Sequence, residues 1–178
     1  MIYIETDRLI LRDYKDSDLP IYQEMNKNFN VRRYFPDVLS DERSQLAFEH
    51  TRDILQRDGI GLFAVEEKSS GAFIGFVGLQ YLVPYTKFDL DIMPCYEVGW
   101  RLHEPFWHQG YATEAAAAVL EYAKEKGINR IYSFTAKINL PSIRVMEKIQ
   151  LKYIKDFMHP LVDEASLKLH VLYGGELQ

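Results

Sequence analysis

The sequence predicts a single α+β domain, a mixed α/β order of elements over residues 1–178. Three observations carry that prediction. The composition, 47% hydrophobic and 26% charged, sits at the average for soluble globular domains, and a chain of this length buries roughly 70% of its unfolded surface without disulfide or metal staples. Two apolar runs, residues 62–67 and 72–82, flank the turn signal Ser69-Ser70-Gly71 and read as a hairpin. Between Gly110 and Lys126, the residues Ala112, Ala115, Ala116, Val119, Leu120 and Ala123 recur at i, i+3, i+4, i+7, i+8 and i+11, the period of a helix with one narrow apolar face.

The other elements follow in order. Residues 9–12 predict a short first strand, and Ser17 has the chemistry to cap a helix running to about Asn28. Ser40 suits a second cap, for a helix over residues 41–58 whose Ala47, Ile54 and Leu55 share a face and which Gly59 and Gly61 end. After the hairpin, residues 83–94 mix two prolines and several charges with aromatics, which suits neither a helix nor a central strand. Strand character resumes over residues 95–102. Alanine lets the helix that follows lie close to a sheet, and Gly127 closes it. Residues 130–135 predict a strand, 140–149 a short helix, and 151–156 and 167–173 the last strands.

Charge and cysteine content exclude several functions. A net charge of -5 argues against nucleic acid or an anionic membrane as partner, since both require clustered Lys and Arg. Cys95 is the one cysteine, so neither an internal disulfide nor a Cys-based zinc site forms, and a reducing, cytoplasmic setting is expected. Glu5, Asp7 and Arg8 interrupt any signal-peptide core, and no run approaches the roughly 20 apolar residues of a membrane span. His50, His103, His108, His159 and His170 are scattered without ligand spacing, so no metal is expected.

The informative stretch is residues 97–115, EVGWRLHEPFWHQGYATEA. A strand leads through a proline-containing loop into a helix at Gly110. A helix N-terminus offers amides without acceptors and a partial positive charge, which suits phosphate. Taken by residue type alone, the junction is either such a site or an ordinary strand-loop-helix connection.

These residues resemble the acetyl-coenzyme A signature of the Gcn5-related N-acetyltransferases, the GNAT family. Two further segments strengthen the resemblance. Residues 6–12, TDRLILR, are similar to the opening strand of the branch containing ribosomal-protein N-terminal acetyltransferases; Asn139-Leu140-Pro141-Ser142 with Val145-Met146-Glu147-Lys148 is similar to its later Asn-x-x-Ser helix. The resemblance implies a mostly antiparallel central sheet with splayed middle strands, flanked by helices. It also implies acetyl-CoA as acetyl donor, no metal, and an amine acceptor, either a protein N-terminus or a small molecule. Two positions depart from the family pattern: Trp107 stands where a polar residue is usual, and Met146 where some members place a tyrosine that protonates the departing thiolate.

Direct transfer requires a neutral amine. For a lysine-like amine of pKa near 10.4 deprotonation at pH 7 costs about 4.6 kcal/mol, and for a protein N-terminus near 8 about 1.4 kcal/mol. Glu97, at the head of the strand leading to the loop, is the candidate general base, with a plain edge-strand carboxylate as the alternative. The resemblance assigns the acetyl-CoA arm to the strand backbone of Val98, Gly99, Trp100, Arg101 and Leu102, whose N–H groups would polarise the thioester carbonyl. It assigns the pyrophosphate to His108, Gln109, Gly110, Tyr111, Ala112 and Thr113. Asn139 is a candidate for the pantetheine arm or simply a helix cap, and Ser142 for stabilising the thiolate or relaying a proton to it, with a solvent-facing serine in the first helical turn as the alternative. Lys137, Arg144 and Lys148 place positive charge nearby. For the acceptor, Tyr34, Phe35, Tyr85 and Phe88 are candidate apolar contacts, and Asp89 and Asp91 candidate partners for a cationic amine. A homodimer and a monomer both fit. The alternative to an enzyme is a non-catalytic acyl-CoA-binding or regulatory domain of the same fold.

Overall fold

A computed structural model describes residues 1–178. Its first half is built by successive antiparallel pairing: β1 (Ile2–Glu5), β2 (Leu9–Arg12), β3 (Leu62–Glu67), β4 (Phe73–Leu82) and β5 (Cys95–Leu102) lie side by side in chain order. β6 (Arg130–Ala136) then adds parallel to β5, and β7 (Lys152–Met158) and β8 (Leu169–Glu176) complete the order β1-β2-β3-β4-β5-β6-β8-β7. Only the β5–β6 pairing is parallel, so the mostly antiparallel sheet implied by the resemblance is present. The helices are α1 (Leu19–Lys27), α2 (Asp41–Asp58), α3 (Tyr111–Glu125), α4 (Leu140–Lys148) and a single turn, α5 (Ala165–Lys168).

Side chains alternate across a strand, which shows that helices cover both faces. Phe63 on β3 packs against Tyr122 of α3 at 5.5 Å; Phe76, whose register partner is the next residue Ala64, faces the other way and meets Tyr22 of α1 at 5.7 Å. The core therefore has two layers. In the α3 layer Ala115, Ala116, Val119, Leu120 and Ala123 are buried, the alanine-rich face read from the sequence. In the α1–α2 layer an aromatic cluster of Tyr14, Tyr22 and Phe48 fills the space.

Four expectations are corrected. β1 forms at the sheet edge although charges interrupt its apolar run, because β2 supplies backbone partners. Ser17 caps nothing: residues Asp16–Asp18 form a 3-10 turn in which Asp18 accepts from the Lys15 amide at 2.8 Å and pairs with buried Arg12 at 2.8 Å. The second helix buries Ser44, Phe48 and Leu55, a face set by Phe48 rather than Ala47 and Ile54. The last strand begins at Leu169, since the four preceding residues form α5. Ser40 does cap α2, accepting from the Arg43 amide at 3.2 Å, and Gly59 ends it at φ +67°.

Candidate active site

The segment from β5 to α3 is held by its own tryptophan. Trp107 Nε1 donates to the Leu102 carbonyl at 2.8 Å, returning the loop to the strand it left, which gives the departure at this position a structural role. His108 (φ +61°) and Gly110 (φ +79°) both adopt left-handed backbone, uncommon outside glycine. The N–H groups of residues 108–113 donate to no acceptor in the chain; the first intrahelical bond of α3 runs from Glu114 to the Gly110 carbonyl at 3.0 Å. Consecutive free amides at the positive end of a long helix suit an anion.

Arg8 braces this loop. Its Nε donates to Glu114 at 2.7 Å, its Nη1 to the Gln109 carbonyl at 2.8 Å, and its guanidinium lies 4.4 Å from the Tyr111 ring centroid. Glu114 also accepts from Thr6 Oγ1 at 2.7 Å. Burial opposes its ionisation, yet the Thr6 and Arg8 hydrogen bonds hold its carboxyl below the ordinary value. Tyr111 is buried with its hydroxyl donating to Glu67, so it reaches the loop surface through its backbone alone.

Beside the loop the sheet opens. β5 shares eight register pairs with β4 but a single one with β6, Glu97 with Tyr132. Beyond it Ser133 Oγ still bridges to the Val98 carbonyl at 2.9 Å. Backbone polar groups point to the same side at every second residue of a strand, so those of Trp100 and Leu102 face the same gap, and their N–H groups lack a β6 partner. The Trp100 indole donates to Ser142 Oγ at 3.3 Å, which leaves the Ser142 proton to point elsewhere. Asn139 caps α4, its Oδ1 accepting from the Ser142 amide at 3.3 Å while Nδ2 donates to Thr135 Oγ1 at 2.9 Å.

The α1 face of β5 carries Cys95, Glu97, Gly99 and Arg101. A Cβ at Gly99 would meet only Glu97 Oε1, at 3.7 Å, so the floor is open beside the carboxylate. Glu97 is partly exposed at the base of this opening and makes neither hydrogen bond nor ion pair; burial pushes its carboxyl up to about 8. Burial, followed by the nearby Glu97 charge, pushes the Cys95 thiol up to about 11, which keeps it protonated at neutral pH.

The structure brings some of the acceptor candidates together and separates others. Phe35 covers Arg101 at 4.6 Å and Phe88 packs on Phe134 of β6 at 6.1 Å, both on the Glu97 face. Tyr34 turns instead toward Ala136, Val162 and Leu167, where with Phe29 and Ile138 it lines a groove of about 440 Å³. Tyr85 is largely exposed, 6.2 Å from Phe88. Asp91 is paired with Lys155 and Lys137 with Asp156, so neither charge is free for a ligand. Arg144 and Lys148 are exposed on α4. No three His, Cys, Asp or Glu side chains converge, and no helix is long and apolar enough to cross a membrane. Sequence reasoning missed Arg8, Glu114 and Ser133 as loop and cleft supports. Arg8 and Glu114 both lie within the motifs, but their pairing spans 106 residues and has no local signal.

Comparison with known proteins agrees with this geometry. The family description "Acetyltransferase (GNAT) domain" matches residues 8–152. An uncharacterized N-acetyltransferase of Bacillus subtilis, YnaD, is 31% identical over 153 residues, covering 85% of this chain and 83% of its own. A GNAT-family acetyltransferase from Bacillus anthracis superposes with a TM-score of 0.79 at 24% identity, over 99% of this chain and 98% of that one. The RimL ribosomal L7/L12 alpha-N-protein acetyltransferase, solved in complex with coenzyme A, superposes with a TM-score of 0.77 at 17% identity, over 99% and 98% of the two chains. The free amides before α3 and the parted strands thus lie inside a matched family domain, and the chain belongs to the GNAT family of acetyl-CoA-dependent N-acetyltransferases.

Proposed function

We propose that the enzyme acetylates the α-amine of a protein or peptide N-terminus, or a small amine of similar basicity, at the junction of β5 and β6. The observation that carries this reading is the parting of those strands beyond the Glu97–Tyr132 pair. It leaves strand amides for a peptide-like cofactor arm while Glu97 stands on the acceptor face. Acetyl-CoA supplies the acetyl thioester. The amides of residues 108–113 are the groups that would hold its pyrophosphate, and Arg8 and Glu114 keep them in place. The N–H groups of Trp100 and Leu102 are the donors for a carbonyl oxygen that gains charge. Glu97 takes a proton from the attacking amine, and the Ser142 hydroxyl, which accepts from Trp100, serves the departing sulfur. Asn139 acts as the cap that sets Ser142.

Basicity favours an α-amine. A carboxylate at about 8 matches an N-terminal ammonium near 8, so the proton moves without cost; taking it from a lysine near 10.4 costs about 3 kcal/mol. The RimL neighbour, an alpha-N-protein acetyltransferase, motivates the same acceptor class. The reading places the enzyme in the cytoplasm, as a monomer or homodimer, acting without nucleic acid. The test is CoA release from acetyl-CoA with free-N-terminal peptides, N-blocked lysine peptides and alkylamines between pH 6 and 9.5. Turnover greatest with free N-termini is expected. Acetyl-CoA binding without CoA release for any amine overturns the catalytic assignment.

A further inference from the structure

Four residues beyond Glu97, on the same face of β5, lies a polar centre that none of these steps uses. Arg101 donates through Nη1 to Asn26 Oδ1 at 3.0 Å, while its Nε is buried without an acceptor. The groups it feels are Arg32, Tyr22 and Tyr14, with no carboxylate among them. Asn26, 1% exposed, leaves its Nδ2 unpaired, and Tyr14, 5% exposed, leaves its hydroxyl unpaired. Buried donors ordinarily find acceptors, and buried cations ordinarily find anions, so this excess of donors marks a position that lacks its complement.

The free edge has a definite shape. With Nη1 engaged by Asn26, the parallel N–H groups of Nε and Nη2 remain, the fork that matches a carboxylate. Phe35 lies 4.6 Å from this guanidinium and 4.7 Å from that of Arg32, and is 43% exposed, so it stands between two cations and solvent. The one anion against them, Asp37, is held by Arg32 and Arg43.

We propose that Arg101, set by Asn26, is a specificity determinant that binds a carboxylate carried by the acceptor several bonds from its reacting amine. This rests on the acetyl-transfer reading, in which Glu97 receives the amine. Along a strand, residues i and i+4 are about 13 Å apart, and the Glu97 side chain leaning toward Gly99 shortens the gap only in part. The α-carboxylate of a free amino acid is too close to its own nitrogen to span that distance. An acidic side chain or C-terminus one or two residues along a peptide fits.

The test uses two isosteric peptides, Ala-Glu-Ala-amide and Ala-Gln-Ala-amide, with the whole enzyme and acetyl-CoA. We expect kcat/KM to favour the glutamate peptide by roughly 10- to 100-fold, mainly through KM, and Arg101→Gln to collapse that ratio toward one. Equal kcat/KM for the two peptides in the wild-type enzyme overturns the proposal, as does a ratio that survives in Arg101→Gln. If Arg101→Gln does not fold, Arg101→Lys replaces it: a reduced ratio supports the fork and an unchanged ratio overturns it. If neither peptide releases CoA, the acetyl-transfer reading fails separately, and calorimetric titration of both peptides into the CoA-bound protein decides the subsite. Tighter binding of the glutamate peptide supports it, and equal affinity means that the donors serve an ordered water only.

Discussion

Glu97 and Cys95 lie two residues apart on one face of β5, and the same shortage of water acts on both with opposite consequences. Burial raises the carboxyl to about 8, which strengthens it as a base, and raises the thiol to about 11, which removes it as a nucleophile. Activity should therefore climb with pH as Glu97 ionises, levelling above about 8; Glu97→Gln should lower kcat by roughly 10²- to 10³-fold and keep only the rise set by the acceptor amine's own deprotonation, so that with a lysine-like amine of pKa near 10.4 no levelling remains near 8, read from CoA release against pH. Stability carries the same signature. The folded carboxyl keeps its proton up to about 8 whereas the unfolded one releases it near 4.3, so its contribution is full below 4.3 and is lost as pH rises through about 8. Glu97→Gln should accordingly melt higher than wild type at pH 9 and alike at pH 4 by calorimetry; a lower melting point at pH 9 would count against a desolvated carboxylate. Cys95→Ala should retain acetyl transfer, because direct transfer needs no thiol. The candidacy of Glu97 was legible from its place near the start of the strand. Its raised pKa was not, because desolvation comes from the covering elements and not from its chain neighbours.

On the proposed reading, cofactor binding depends on the loop between β5 and α3. Glycine at position 110 and the alanine period of the following helix mark it in the sequence, and the structure keeps both. Its brace comes from the far end of the chain. Removing the Arg8 side chain deletes bonds to Glu114 and to the Gln109 carbonyl together with its packing on Tyr111. Arg8→Ala should raise KM for acetyl-CoA about tenfold, the scale of one or two charge-assisted hydrogen bonds, with a smaller effect on KM for the acceptor. A larger effect on the acceptor in steady-state kinetics would mean that Arg8 serves the other face. α4 teaches a related point. Asn139 has the residue type of both a ligand and a cap, and its bonds to Ser142 and Thr135 supply the cap.

Across the whole molecule, the proposed cleft lies between two strands of one sheet, so ligand binding there would be coupled to the integrity of the sheet. Acetyl-CoA in 100-fold excess over its Kd should stabilise the fold by about 2.7 kcal/mol, a rise in Tm of roughly 5–10 °C for a chain of this size, readable by differential scanning fluorimetry. Absence of a shift at millimolar acetyl-CoA would place its binding elsewhere or nowhere. Apolar periodicity, turn residues and the motif at residues 97–115 determined the sequence of elements, the mixed fold class and the position of the loop before the alanine-rich helix, because these depend on residues near one another in the chain. Tertiary structure alone decided where β5 leaves β6, which carboxylate braces Arg8, and that Arg101 ends among donors beside Asn26. Those outcomes depend on packing between segments 35 or more residues apart, where burial and the supply of hydrogen-bond partners, rather than local propensity, determine what each side chain does.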